Sequence, residues 1–598
     1  MAEFNNPQQE PGMERKLLLV FALTFLVLMV FQPLLKKYGP QPPAKQETSQ
    51  AAQNQAQNQA QIASQNASQP PTQLPAQPGT NAATANRAGA KGETASAPLQ
   101  AASESETVIE NDVYRIVFTN RGGRVKSWVL KKFTDDKGGP LELVNTVAAE
   151  KYGYPLTLWS YEGALRDKLN SVLYVATSTG TAAPAEIKFA YDDGDISVQK
   201  SYTFDLNSYV VGVKTAVYQK GMQVTAFPMW PAGFGADMTG PQYAADQIVY
   251  QYDSKVERLA IKKISGNGTL AGPFHWAGVS DQYFAAVFLP QDPQNAALVT
   301  LRNAIEIPHG SDTNQKDKID VLGAAVGNLR GPTDARLYVG PKQLSDLETV
   351  PVPGITGAEP DLRAIIDFGW LGIIARPLFL WLKWMHSHIV GNWGWAILLQ
   401  TLIINLALLP LRLSQMKSML KMQRVAPQIK AIQEKYKKYS LRDPKKAEMN
   451  EEISALYKKE GVNPAGGCLP LLIQTPFLFA YYRMLNVAMD LRHAPWMWVH
   501  DLSAPDPYHI LPIAIIVTMF LMQRMTPQAG MDPAQQKMMN LMMPGMLGLM
   551  SWNLPAGLGL YWAAGQLIGI VQQSVMNRTS LGREMREMMA KRARKKEK

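Results

Sequence analysis

The apolar residues of this chain are segregated into long runs, and that feature constrains its fold more than any other. Residues 17–35, 389–411, 468–489, 508–524, 538–553 and 556–573 are each predominantly apolar. A helix needs roughly 20 such residues to cross the ~30 Å hydrocarbon core of a bilayer. The runs therefore predict six spans of a polytopic α-helical membrane protein. A cleaved signal peptide is the alternative for the first run. Phe31-Gln32-Pro33-Leu34-Leu35 supplies a poor small-residue cleavage site, however, and Lys36 and Lys37 lie just beyond, which favours an uncleaved anchor. No cysteine follows that run, which excludes lipoprotein attachment.

Between the first two spans the composition changes twice. Residues 36–106 are rich in Gln, Asn, Ala, Pro, Thr and Ser and read as a flexible linker, with too little apolar surface to offset ordering. Residues 107–350 turn to short runs of Val, Ile, Tyr and Phe. Val113 to Phe118, the turn Asn120-Arg121-Gly122-Gly123, and Val125 to Leu130 form a strand–turn–strand signal. Ile196 to Phe204 with Tyr209 to Tyr218, then Tyr283 to Leu289 and Ala297 to Leu301, extend it to a large β-sandwich. Its Trp276 and Tyr283 suit core or edge packing, or else a binding cleft. Residues 361–388 mix Trp370, Trp381 and Trp384 with Arg363, Asp367, Arg376 and Lys383, the pattern of an amphipathic helix lying at a membrane interface.

Charge placement sets the topology. Arg412 to Glu460 carries thirteen Lys or Arg against six Asp or Glu, and the tail from Arg578 carries nine against three. Placing both in the cytoplasm satisfies the positive-inside rule, puts residues 1–16 there too, and leaves the β-sandwich outside. Within 412–463, Ile429, Ile432, Tyr436 and Tyr439 recur at helical spacing, Asp443-Pro444 interrupts, and Ile453, Leu456 and Tyr457 resume the pattern. That predicts two antiparallel helices. They form either a solvated link between spans or a surface for a partner. The net charge of +11 is clustered beside apolar segments, so the basic partner surface is anionic lipid and not DNA.

Several chemistries are excluded. Cys468 is the only cysteine, which rules out an intrachain disulfide and a four-cysteine zinc site, and the seven histidines are scattered. There is no HExxH, paired CxxC or glycine-rich phosphate loop, so no cofactor is expected. The spans hold no paired aspartates or Ser/His pairing for a protease and no mid-span acid for proton coupling. They do hold uncharged polar residues: Gln400, Asn405, Gln474, Tyr481, Tyr482, Asn486, Gln523 and Gln566. These serve either as glue between helices or as the lining of a moist recess, which would lower the desolvation penalty for polar parts of another chain. Arg412 and Arg483 would line such a recess or snorkel to an interface. Met538, Met539, Met542, Met543 and Met546 would either adapt to varied apolar partners or face lipid. A solute transporter or channel, and a purely structural envelope protein, remain the other function classes.

Short motifs in the last third carry a more specific likeness. They are Asn463-Pro464-Ala465-Gly466-Gly467-Cys468-Leu469-Pro470-Leu471-Leu472-Ile473-Gln474-Thr475-Pro476, Asp501-Leu502-Ser503-Ala504, Asp506-Pro507-Tyr508 with Ile510-Leu511-Pro512, Asp532-Pro533 with Gln535-Gln536-Lys537, Pro555-Ala556-Gly557-Leu558, and Leu560-Tyr561-Trp562. In this order they resemble the YidC/Oxa1/Alb3 family of membrane protein insertases, in its Gram-negative form with a large periplasmic domain. The resemblance implies an inner-membrane protein with both termini in the cytoplasm and a periplasmic β-sandwich similar to sugar mutarotases. That domain has only His275 and His309 as histidines and no catalytic pairing, so no sugar chemistry is expected.

The implied activity is non-hydrolytic: a nascent membrane protein enters a polar groove open to cytoplasm and lipid, then inserts and folds, alone or beside the Sec translocon. Implied partners are the Sec translocon and signal-recognition components at the hairpin, and the ribosome at the basic tail, through rRNA phosphates. The expected groove set is Asn405, Gln474, Arg412, Gln400, Tyr481, Gln523 and Trp562. Gln474 matches a groove glutamine of the family by motif. The family usually has an arginine five residues before the proline of the Pro-Leu that ends the second span. Here Asn405 stands at that place, and Arg412 lies seven residues later, nearly two turns along the same face. Compensation of Asn405 by Arg412 is the expectation this spacing raises.

Overall fold

Alternation of apolar and polar side chains builds the first half of the molecule. In the strand Ile196–Phe204 every second residue, from Ile196 to Phe204, is buried. Its antiparallel neighbour Val210–Gln219 places Val217, Val213 and Val211 opposite Val198, Tyr202 and Phe204. Such cross-strand pairs on one face are what hold a half-buried sheet in register.

The computed structural model describes residues 98–235, 246–253, 255–309, 312–355, 361–439, 443–462, 469–525, 533–580, 582–584 and 587. The expected cytoplasmic N-terminus, the anchor at 17–35, nearly all of the linker, the Asn463 to Cys468 part of the motif and the end of the basic tail lie outside the described residues.

Among the described residues the strands form three antiparallel sheets. Nine strands run from the edge Lys255–Ala260 through Phe284–Pro290 and Thr333–Pro341 to the edge Val175–Ser178, and a tenth, Met222–Gln223, pairs with Val210–Gln219 beside that path. Five strands, centred on the hairpin Ala296–His309 and Asp312–Asn328, share a core with them, and a four-stranded sheet runs from Glu106–Glu110 to Pro140–Glu142. Phe118 stacks on Tyr202 at 5.4 Å, and Trp128 meets Trp230 edge-on at 6.0 Å. Trp276 and Tyr283 are both buried in this core. The strand expected at Ala297 to Leu301 continues to His309. Its second half is interrupted by Arg302, Asn303 and Glu306, and there Ile305 and Ile307 bury against Ala148, Ala232 and Val321.

One inward position breaks the apolar rule. Lys200 is 1% exposed, and its Nζ donates to the carbonyls of Gly122 (2.6 Å), Leu156 (3.1 Å) and Gly123 (3.3 Å) while lying over the Tyr174 ring. The left-handed turn at Gly122 (φ +70°) presents the first of these carbonyls, and a Cβ there would meet the Asn170 carbonyl oxygen at 2.7 Å. Burial pulls the Lys200 pKa down to about 7. Between that value and the unfolded value of about 10.4 the unfolded chain binds more proton than the folded one. Stability from this group is therefore greatest above the window and falls as pH drops through it. Lys200→Met is expected to destabilise the folded protein by roughly 1–3 kcal/mol, since three carbonyls lose their donor. In thermal unfolding of the full chain in detergent, the variant should also lack this slope across the window.

A short helix, α1 (Thr146–Tyr152), and α2 (Gly163–Ser171) decorate the sheets, and α3 (Leu344–Glu348) follows the last strand. The helical half then begins. Helix α4 (Gly372–Met385) buries Ala375, Leu378, Phe379, Leu382 and Met385 on one face. The opposite side of this region exposes Trp370 (78%), Ile373 (85%) and Trp384 (51%), the split expected of a helix lying along an interface. Its continuation to Val390 meets α5 (Trp393–Ala407) at 113°.

Helix α6 (Leu409–Lys435) starts one residue after α5 with Pro410 in its first turn, where a missing N–H is tolerated. It pairs with α7 (Lys445–Lys459) through Val425, Ile429 and Val462, and Lys435 reaches Glu452 at 3.2 Å, which makes the two antiparallel. Helices α8 (Leu469–Val487), α9 (Ile510–Met525), α10 (Pro533–Met550) and α11 (Ala556–Arg578) complete the bundle. Helix α11 packs on α5 and α9, α9 on α10, and α8 on α4.

Among the described residues no single helix is long and apolar enough to cross a membrane alone; the bent pair 372–390 and 393–407 meets that requirement only together. Pro410 opens α6 directly after α5, so that apolar run is split between two helices, whereas Pro476 and Pro544 lie inside the continuous helices α8 and α10.

Polar contacts join the two halves. Arg492 Nη1 donates to the Thr134 carbonyl (2.9 Å), His493 contacts Thr134 and Asp136, and Gln282 Nε2 donates to the Asn486 carbonyl (2.9 Å). Asp367 of the segment before α4 pairs with Arg483 of α8.

Candidate functional site

Helix geometry decides where Arg412 points. Each Cα–Cβ bond in an α-helix tilts toward the N-terminus, so a long side chain on the first turn of α6 folds back along α5. Seven residues correspond to about 10.5 Å of rise and nearly two turns, which puts Asn405 on the same face. The guanidinium closes that gap: Arg412 Nη2 donates to Asn405 Oδ1 at 3.0 Å. Asn405 Nδ2 in turn donates to the Thr401 carbonyl at 2.8 Å, fixing the orientation of the amide.

A third residue closes the cluster. Gln572 of α11 accepts from Arg412 Nη1 through Oε1 (2.7 Å) and donates through Nε2 to the Asn405 carbonyl (3.2 Å). Asn405 and Gln572 are buried, and Arg412 is part-buried. Among the described residues no carboxylate lies within ion-pair distance of Arg412, so its charge is held by neutral oxygens.

Asn405 and Arg412 of this cluster line a cavity of about 750 Å³ among α5, α6, α8, α9, α10 and α11, and Gln572 stands behind them, outside the lining. Its other polar positions are Gln415, Thr475, Gln566 and Gln573, and among the described residues Arg412 is the only formally charged one in the lining. The remainder is apolar and adaptable: Met416, Met519, Met522, Met543, Met550 and Met576, with Phe479, Tyr482, Tyr561 and Trp562. Phe479 and Met550 are more than half exposed, so the cavity communicates with the surroundings past α8 and α10. Unbranched thioethers fit varied apolar surfaces with little strain.

Toward α4 the bundle is tightly packed. Tyr481 stacks on Tyr561 at 4.0 Å, and its hydroxyl donates to Gln400 Oε1 at 2.8 Å. Gln400 Nε2 donates to the Leu378 carbonyl of α4 at 3.0 Å. Gln400 is 0% and Tyr481 1% exposed, and neither lines the cavity.

The structure thus brings Asn405, Arg412 and Trp562 together around the cavity and puts Gln400 and Tyr481 in the packed layer beside it. Gln523 sits on α9 outside the lining, its buried Oε1 without a hydrogen-bond partner among the described residues. Gln474 is in α8, but its side chain lies outside the described residues. Sequence reasoning did not single out Gln572, Gln573, Gln415 or the pair Gly565 and Gly569. The run Gly565-Gln566-Leu567-Ile568-Gly569, a small-x-x-x-small pattern, was the available signal that α11 lets another group approach. No group of His, Cys, Asp or Glu among the described residues is arranged to hold a metal.

Comparison with known proteins adds names to this geometry. Residues 106–381 match the YidC periplasmic domain family, and residues 384–583 match the 60Kd inner membrane protein family. The chain is 32% identical over 512 residues to a membrane protein insertase YidC of Bordetella avium, covering 82% of this chain and 85% of that one. A membrane protein insertase YidC of Syntrophus aciditrophicus is 32% identical over 585 residues, covering 95% of this chain and all of the other. A crystal structure of an active YidC insertase with its first transmembrane domain resolved aligns at 20% identity and TM-score 0.35, covering 81% of this chain and 95% of that one.

Proposed function

The chain belongs to the YidC family of membrane protein insertases, and from that premise we propose that its cavity receives part of a client polypeptide during insertion. The protein is a bacterial inner-membrane insertase with a periplasmic domain. The observation that carries the finer reading is a cavity of about 750 Å³ with one charge, Arg412, and a surrounding wall of methionines and aromatics. A client span of 20 residues is about 30 Å long, far more than such a cavity holds. The cavity therefore takes the short polar end of the client while the apolar span passes by α8 and α10 into lipid.

The energetics divide the same way. Burial of the client span supplies about 25 cal/mol per Å² of apolar surface removed from water, and its polar end opposes entry into hydrocarbon. Asn405, Arg412, Gln566 and Gln573 offer that end hydrogen-bonding partners within the bundle. Helices α5 and α9, of 15 and 16 residues, are about 22 and 24 Å long at 1.5 Å per residue. Beside them the bilayer would be thinner than its usual ~30 Å, which shortens the polar end's path. Transfer proceeds without bond making, and the sequence holds no nucleotide-binding motif through which ATP hydrolysis would drive it. The membrane potential assists outward movement of acidic ends.

The six-span topology with both termini in the cytoplasm places the α6–α7 hairpin on the cytoplasmic side, where it meets nascent chains, Sec translocon and signal-recognition components. The basic tail then faces the ribosome and anionic lipid. Photocrosslinkers at Thr475 and Met543, inside the cavity, should capture arrested nascent membrane proteins. One at Val571, exposed on the outer face of α11, should not. Equal capture at all three positions, or none at Thr475 and Met543, rejects the cavity as the client site.

A further inference from the structure

We propose that Gly569 and Gln572 of α11 are positioning residues: they hold the Arg412 guanidinium at the level of Asn405, and so set the preference of the cavity for client ends that carry a carboxylate. This rests on the reading of the cavity as the client site.

An arginine at the start of α6 has two destinations. It can fold back into the bundle, as the tilt of its Cα–Cβ bond favours, or extend to water, as its solvation favours. The folded-back state needs fixed acceptors and vacant space, and α11 supplies both. Gln572 uses its two ends in opposite senses, with Oε1 accepting from Arg412 Nη1 (2.7 Å) and Nε2 donating to the Asn405 carbonyl (3.2 Å). Those two bonds determine which way its amide faces. The space comes from Gly569, one turn before Gln573: a Cβ there would lie 3.0 Å from Arg412 Nη1 and 2.6 Å from Met522 Cε. A Cβ alone would ask the guanidinium and the Met522 methyl to give slightly, and a β-branched side chain would press the guanidinium further from its acceptors.

The choice of an uncharged holder matters as much as its position. A guanidinium has five N–H donors. Two are taken by the amide oxygens of Asn405 and Gln572, and the other three have no partner among the described residues. Amides anchor the group without neutralising it, so it keeps its full charge for a ligand. A carboxylate is the chemical class that pairs with such a fork through two parallel charge-assisted bonds.

The test is the insertion of one client in two versions, differing only in whether its translocated end carries acidic residues or their amides. Gln572→Glu would place a carboxylate against Nη1 and compensate the charge in place. Gly569→Val would displace the guanidinium. Both should lower the acidic-to-amide insertion ratio, Gln572→Glu by about tenfold, the scale of one lost charge-assisted interaction. Insertion of the amide version should be retained, and neither change should add to the loss already produced by Arg412→Ala. A ratio unchanged in both variants but lowered in Arg412→Ala would overturn the positioning roles and leave the cavity reading standing. Equal losses for both client versions would mean a packing role only, and would also overturn the proposal. A ratio unchanged even in Arg412→Ala would overturn it along with the role of the charge itself.

Discussion

Replacing Arg412 by Ala is expected to reduce insertion of a client with an acidic periplasmic end by about tenfold or more, while a client with a neutral end inserts nearly normally. The argument starts from isolation: among the described residues Arg412 is the only formally charged one in the cavity lining. Hydrogen bonds to a charged group are worth about 1.5–3 kcal/mol, and each 1.4 kcal/mol is tenfold. The loss should be selective because the apolar wall that receives the client span is untouched. Arg412→Lys separates charge from shape. A lysine keeps the charge but not the planar fork that reaches Asn405 and Gln572 together, so it should recover only part of the activity. The measurement is protease protection of the translocated end in membranes carrying each variant. Equal insertion of the acidic client by Arg412→Ala and the unaltered protein would reject Arg412 as the polar centre of the site.

Tyr481→Ala should have the largest effect on the fold of the bundle. Tyr481 is fully buried, stacked on Tyr561, and is the donor to Gln400 Oε1. Removing the ring leaves a cavity and an unsatisfied amide oxygen together, for a destabilisation of roughly 3–5 kcal/mol on the scale of buried aromatic truncations. Tyr481→Phe keeps the ring and loses only the hydroxyl, at about 1–3 kcal/mol. Because this layer lies between the cavity and α4, the Ala variant should also leak small ions in reconstituted vesicles and the Phe variant should not. A Tyr481→Ala protein as stable and as tight as the unaltered one would show that this layer does not close the cavity.

The contrast between Tyr481 and Trp562 shows how far residue types alone carry a site assignment. Both are aromatic residues in apolar runs and both were expected in the groove, yet one lines the cavity and the other is packed away beside it. Gln400 and Asn405 differ in the same way on a single helix. Asn405 faces the cavity and Gln400 reaches α4, a result of helix rotation that neighbouring residues do not encode. In the β-domain, Ile196–Phe204 was legible because Ile196, Val198, Tyr202 and Phe204 alternate with polar residues, Lys200 being the one inward exception. The second half of Ala296–His309 was not, because Arg302, Asn303 and Glu306 interrupt it and Ile305 and Ile307 find their core only on Ala148, Ala232 and Val321, distant in sequence.

What the sequence determined by itself was local and periodic. Segregated apolar runs called for a membrane protein, alternating strands for an external β-domain, ordered short motifs for an insertase, and the seven-residue spacing of Asn405 and Arg412 for a shared helix face. The tertiary structure alone decided which polar groups form one site. Gln572 lies 160 residues from Arg412, and Gly569 matters only because α11 happens to press against the end of α5. Periodicity is a property of one element and can be read along the chain. A cavity is a property of several helices at once, set by their packing and rotation, and no single stretch of the chain contains it.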